Sequence, residues 1–216
     1  RVLAQLDADP GLLFVVVGQN DNGACCACPR CRAVDEREQS HMGALLTFVN
    51  AVADAVAARH PQALVGTLAY QYSRKPPRTI RPRPNVVIQL CSIECCVIHS
   101  LTDPACPCNT AFQEDLAGWG RICSRIGVWN YLTNFHSYLS PFPNLAALQA
   151  NVRNFAASGV RGLFMQAVYD TPAGELSDLR NYLIAALLWD PSRDARRWMD
   201  EFLDLHYGRA AGPIRR

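Results

Sequence analysis

Residues 11–17, Gly-Leu-Leu-Phe-Val-Val-Val, are an unbroken apolar and β-branched run. Residues 44–59, ALLTFVNAVADAVAAR, carry Leu45, Phe48, Val49, Val52 and Val56 at helical spacing, and residues 63–70, ALVGTLAY, turn apolar and β-prone again. A continuous apolar run is what a strand buried on both faces requires. His60-Pro61 closes the helical segment, so this stretch predicts strand, helix, strand. Outward from it the pattern repeats. Strands are expected at 85–90 (NVVIQL), 126–129 and 159–165, and helices at 111–123, 145–157, 176–188 and 190–207. Asn144 is placed to cap the helix at 145, Pro191 suits a first helical turn and Gly208 a C-terminal cap. Five apolar strands alternating with helices imply an α/β fold with a parallel sheet and right-handed crossovers. Either an open doubly wound sheet or part of an eight-fold (β/α) barrel meets that pattern.

Composition narrows the function classes. The chain has 216 residues, half of them apolar, so a core can form without covalent staples. Charged residues are 19% and the net charge is +2, which argues against disorder and against a strongly basic nucleic-acid binder. No uninterrupted apolar run approaches the roughly eighteen residues of a membrane span. The opening Arg1-Val2-Leu3-Ala4-Gln5-Leu6 lacks the basic start and hydrophobic core of a signal peptide and reads like the tail of a helix, so a piece of a longer protein is expected. No G-x-G-x-x-G or phosphate-binding glycine loop follows any strand. The connection Ser73–Pro84 carries four prolines and can hold little helix. Its basic residues invite a nucleic-acid reading, but no aromatics interleave with them, and a solvated linker is the better expectation.

Each strand ends instead in a polar or aromatic tip: Gln19-Asn20-Asp21, Tyr70-Gln71-Tyr72, Ser92 and Glu94, Trp129-Asn130-Tyr131, and Gln166. In a barrel this C-terminal end is the active face, and the tips are expected to line one polar, aromatic pocket. Asp21 and Glu94 are the two tip carboxylates. Facing one mouth, they form the acid and base (or nucleophile) pair of glycoside hydrolysis. Apolar neighbours of Glu94 would raise its pKa. Tyr70, Tyr72, Trp129 and Tyr131 offer flat faces for sugar rings, with Gln19, Asn20, Gln71, Asn130 and Gln166 as hydroxyl partners. His136 follows the Trp129 tip in an aromatic-rich loop. Arg74 and Lys75 follow Tyr72 and suit a sugar carboxylate. The bland alternative makes Asp21 the start of an Asx-turn and Glu94 a solvated loop residue. His99, His136 and His206 read as isolated.

Ten cysteines are abnormal for a chain with its own core. Most fall in tight groups, Cys25-Cys26-x-Cys28-x-x-Cys31, Cys95-Cys96 and Cys106-x-Cys108. Cys26, Cys28 and Cys31 have spacing compatible with zinc, with the second group able to give a fourth ligand. Disulfides and buried thiols are equally open readings. Only His41 and Arg32 are near enough in sequence to acidify a thiol there, so a catalytic cysteine is disfavoured.

The runs Gln19-Asn20-Asp21-Asn22-Gly23, Cys26-x-Cys28-x-x-Cys31, Phe48-Val49-Asn50, Leu68-Ala69-Tyr70-Gln71-Tyr72 and Pro76-Pro77 match a known pattern. Leu90-Cys91-Ser92-Ile93-Glu94-Cys95-Cys96, Val128-Trp129-Asn130-Tyr131, Pro141-Phe142-Pro143-Asn144 and Leu187-Leu188-Trp189-Asp190-Pro191 continue it. Together they resemble domain-of-unknown-function family 4838, bacterial proteins distantly similar to α-glucuronidases. The resemblance implies a glycoside-hydrolase-like barrel of which residues 1–216 supply strands four to eight. It further implies Asp21 as general acid, Glu94 as base or nucleophile, a carbohydrate substrate, with uronic-acid-containing ones among the candidates, and an exported protein. No cofactor is required on this view, with structural zinc left open. Asn130 departs from the family pattern, where an Asp commonly follows that Trp, and this implies weakened or altered catalysis. A carbohydrate-binding barrel without catalysis, and a metal- or thiol-dependent protein built on the cysteines, are the alternatives.

Overall fold

The computed structural model describes residues 1–215. Its elements are α1 (Val2–Ala8), β1 (Phe14–Val16), α2 (Pro29–Glu38), α3 (Met42–Arg59), β2 (Leu64–Ala69), β3 (Val86–Cys91), α4 (Pro107–Ile122), β4 (Ile126–Tyr131), α5 (Leu145–Ala157), β5 (Gly162–Gln166), α6 (Ser177–Trp189), α7 (Ala195–Tyr207) and α8 (Ala211–Ile214). The strands make one sheet in the order β1-β2-β3-β4-β5. Val15 pairs Val65, Thr67 pairs Ile88, and Leu90 pairs Val128, all in parallel register. Strand order that follows the chain without reversal is that of a barrel wall, whereas a doubly wound sheet reverses at its switch point. The fold is therefore a partial (β/α)8 barrel.

The chain divides into two compact units, Arg1–Glu94 with Gln113–Trp129 and Ser158–Phe164, and Cys95–Phe112 with Asn130–Ala157 and the chain from Met165 onward. In the first, side chains alternate across the sheet with period two. Val15, Val65, Ile88, Leu90 and Val128 are buried, while Phe14 and Val16 are 45% and 62% exposed on the other face. The Phe14 ring lies over Gly66, where a β-carbon would meet Phe14 Cζ at 2.5 Å, so β1 approaches β2 as it does because Gly66 has no side chain. α3 is long and apolar enough to cross a membrane by length and composition, with mean hydropathy 1.3 over 18 residues. Its Met42, Leu46, Val49, Ala53 and Val56 are nevertheless fully buried in this unit, as in a core helix. The second unit has its own core, in which Leu132, Leu148, Val152, Leu179, Leu183, Leu187 and Leu203 pack together.

Several local expectations are revised. α2 has no apolar periodicity to betray it: its buried residues are Asp35 and Glu38. α4 begins at Pro107, ahead of the expected start at residue 111, where proline suits the first helical position. α7 begins only at Ala195, after Asp194 accepts the Arg196 amide at 2.9 Å. Asp190 instead binds the Ser192 amide in a separate turn. Asn144 donates to the Leu132 carbonyl and accepts from Arg180. Gly208 does terminate α7, at φ +51°.

The proline-rich connection is no solvated linker. The Ser40 hydroxyl donates to the Lys75 carbonyl at 2.6 Å. Asn50 donates to the Arg81 carbonyl and accepts the Arg83 amide. Glu38, 1% exposed, accepts from the Thr79 amide and hydroxyl, each at 2.6 Å, and from the Ile80 amide. Burial pushes the Glu38 carboxyl up, but these bonds, with a weaker one from Arg37, outweigh it and hold its pKa at about 2. The folded value lies below the ordinary 4.5, so the charge stabilises the fold above that pH and the contribution is lost as pH falls from 4.5 toward 2. Glu38→Gln should lower the urea midpoint at neutral pH, and the gap from the parent should close through that window. A gap that stays constant down to the acid limit would contradict the assignment.

Candidate functional site

In the first unit the sheet's C-terminal end is organised by the turn that follows β2. Gln71–Ser73 form a short 3-10 turn, with Gln71 at φ +49°. The Ser73 hydroxyl donates to the Gln19 side chain, and Gln19 Nε2 donates to the Tyr70 carbonyl at 3.2 Å, so the β1 and β2 tips are tied together. The Tyr70 hydroxyl donates to Asp21 Oδ1 at 3.2 Å and accepts from Gln71 Nε2 at 3.0 Å. Burial, then the Asp21 charge, raises the Tyr70 pKa, so the phenol remains a donor. The nearby Asx-turn belongs to Asn22, which accepts the Ala24 amide, and not to Asp21.

Arg74 closes the same turn. Its Nη1 lies 2.9 Å from Glu94 Oε2 and its Nε 2.7 Å from Asp115 Oδ2, while its carbonyl accepts the indole N–H of fully buried Trp119 at 2.8 Å. Glu94 is 44% exposed and sits on a guanidinium, so it does not have the apolar surroundings expected of it. Arg74, expected to await a substrate carboxylate, is already held by two of the protein's own. Asp115 is a residue that sequence reading missed. Burial raises its pKa, partly offset by Arg74. It lies on α4, and nothing in the sequence links it to residue 74.

A cleft of about 520 Å³ in this unit is lined by Gln19, Asn20, Cys25, Cys31, Asp35, His41 and Tyr72, among others. Gln19, Asn20 and Tyr72, with Cys26 and Cys31, are the expected residues that line it; Asp21, Tyr70 and Glu94 are not part of its lining. The far wall is made of α2 and the start of α3. There Asp35 Oδ2 lies 3.1 Å from His41 Nδ1, and Asp35 Oδ1 accepts the Ala44 amide at 2.9 Å. His41 meets Tyr72 edge-on. This Asp35–His41 pair was missed because it is joined through a turn that closes an unforeseen helix, α2. Trp129 packs edge-on to Phe164, with centroids 4.6 Å apart.

Cys26, Cys28 and Cys31 are free thiols whose sulfurs lie within 4.8 Å of one another, a set that could hold a soft divalent ion such as zinc. Cys28 is the residue before α2. The Cys31 amide, then the Cys26 and Cys31 thiols, draw its pKa down to about 7, while donation to Cys26 and Cys28 pushes Cys31 up to about 12. The acidifying group is thus a helix N-terminus rather than His41 or Arg32.

The remaining expected residues belong to the second unit. Asn130 is buried, Tyr131 and Gln166 are half-buried, and the Gln166 carbonyl accepts the Leu132 amide at 2.9 Å. His136 is exposed, its amide bonded to the Asn134 side chain. Tyr131 packs edge-on to Phe135, which with Tyr138 of the same aromatic-rich loop and 71%-exposed Tyr169, distant in sequence, makes an aromatic group.

Compared with known families, the chain matches the sequence model described as Domain of unknown function (DUF4838) over residues 1–216, and it belongs to that family. No curated protein and no solved structure matches it.

Two outcomes follow from the site's chemistry. Alkylation by iodoacetamide should reach Cys28 first among the three clustered thiols, its rate rising with pH to a plateau above about 7, with Cys31 unreactive until far more alkaline conditions; peptide mapping at timed intervals reads this, and equal rates at all three would refute it. Arg74→Met should cost about 1–3 kcal/mol of unfolding free energy, because half-buried Asp115 loses its partner. Arg83→Met, which breaks only an exposed pair with Asp54, should barely move the denaturation midpoint.

Proposed function

We propose that this member of the DUF4838 family is a carbohydrate-active barrel of glycoside-hydrolase type, distantly akin to α-glucuronidases, acting on oligo- or polysaccharide. Asp21 serves as general acid and Glu94 as base or nucleophile. The observation that carries this reading is that one five-residue segment, Tyr70–Arg74, holds both carboxylates, Asp21 through the Tyr70 hydroxyl and Glu94 through the Arg74 guanidinium. Two carboxylates that flank a glycosidic bond must keep a fixed separation, and a common anchor supplies that constraint. Tyr72, Gln19 and Asn20 line a cleft of a size that suits a sugar unit. Tyr131, Phe135, Tyr138 and Tyr169 add a second aromatic surface in the other unit.

One observation favours a non-catalytic carbohydrate-binding protein as the second reading: Arg74 already neutralises Glu94. Assay on a panel of neutral and uronic-acid glycosides separates the two. Hydrolysis that falls at least about a hundredfold in Glu94→Gln, and comparably in Asp21→Asn, supports the enzyme. Near-full activity in Glu94→Gln would sink the assignment. Saturable sugar binding with no turnover on any glycoside would favour the second reading.

A further inference from the structure

The connection from β3 to α4 contains a second thiol group of different construction. Cys96 Sγ lies 3.5 Å from His99 Nδ1, and these atoms and Cys106 Sγ all fall within 4.8 Å of one another. His99 is therefore not isolated. We propose that Cys96, His99 and Cys106 are the protein ligands of a zinc ion, with water in the fourth position on the exposed His99 side.

The case rests on the scaffold as much as on the ligands. The loop has no regular secondary structure, yet the side chain of fully buried Asn109 fixes its backbone at four points. Asn109 Oδ1 accepts the Cys96 amide at 2.9 Å, and Nδ2 donates to the carbonyls of Cys96, His99 and Ser100 at 3.2, 3.3 and 2.9 Å. Asn151 accepts the Leu101 amide at 2.7 Å, and the Cys106 carbonyl accepts the Thr110 hydroxyl at 3.1 Å. Two ligand-bearing residues are thus set by one amide side chain and the third by the first turn of α4. Such locking of the backbone beneath the ligands is what metal sites require of their surroundings.

The ligand chemistry selects the metal. Two sulfurs and one imidazole, with Cys-x-x-His spacing, suit zinc rather than the oxygen-seeking cations. On binding, both thiols release their protons to solvent, and two thiolates with a neutral imidazole cancel the charge of the ion. This neutrality matters because Cys106 is only 6% exposed.

The test begins from a C26S/C28S/C31S background, which removes the other thiol group. Protein purified with reductant should carry about one zinc per chain by elemental analysis. After chelation, cobalt(II) alone should produce sulfur-to-metal charge-transfer and the strong visible bands of a tetrahedral ion. His99→Ala, an exposed position that need not disturb folding, should weaken cobalt and zinc binding at least about tenfold, within the range measured for losses around metal sites. Cys96→Ser should abolish the charge-transfer band of that sulfur. Absence of both metals from the background protein would overturn the proposal. So would binding that neither substitution changes, or a Cys96–Cys106 disulfide mapped in protein never exposed to oxidant.

Discussion

The Arg74 main-chain carbonyl, held by the indole of Trp119, is the contact on which the first unit's sheet end depends. Trp119 is fully buried, so its N–H must find an acceptor inside the protein, and Arg74 supplies the bond at 2.8 Å. This pins the end of the turn that starts at Tyr70. The Arg74 side chain then leaves a fixed point and reaches both Asp115 and Glu94, while Tyr70 at the other end reaches Asp21. A buried hydrogen bond to the main chain costs nothing in side-chain freedom at Arg74, which leaves the guanidinium to divide between two carboxylates. The segments that follow β1 and β3, and α4, are thereby coupled through five residues after β2.

The proline-rich segment after Arg74 follows the same logic. Prolines remove donors and hold the backbone extended, so the segment cannot satisfy its carbonyls and remaining amides in a helix or ladder. Buried Glu38 and Asn50 do it from outside. A buried carboxylate is costly unless several donors converge on it, and here two amides and a hydroxyl do. The strap in turn explains why α2 exists: a helix with almost no apolar surface is kept in place by the polar groups it buries, Asp35 and Glu38.

What the sequence made legible follows from this division. Strands and helices whose burial is apolar were readable: α5 occupies residues 145–157 as its periodicity requires, and β2 and β3 lie within a residue of the apolar runs. The sequential sheet order also follows from strand–helix alternation once reversal is excluded. Features held by polar contacts between residues far apart in sequence left no local signal. Arg74 with Asp115, Glu38 with Thr79, and Asn109 with Cys96 are examples. Asp21 and Glu94 were singled out because carboxylates at strand tips are conspicuous. That one turn holds them both was invisible, since it depends on where a phenol and a guanidinium end up rather than on any spacing.

The cysteines fit into this account as one of several solutions to a common problem. Long connections at a barrel's C-terminal end lack apolar residues with which to order themselves, yet they must be ordered if they carry function. The connection before β3 is ordered by a buried carboxylate and an amide. The one after β1 ends in three thiols gathered at a helix N-terminus, where main-chain amides supply the positive field. The one after β3 is fixed first by Asn109 and only then brings sulfur and imidazole together. In the first thiol group Cys26 and Cys28 are exposed and Cys31 is half-buried, which suits a labile ion. In the second, burial of Cys106 and the amide scaffold favour a permanent occupant, because a preformed set of ligands loses little entropy when an ion binds.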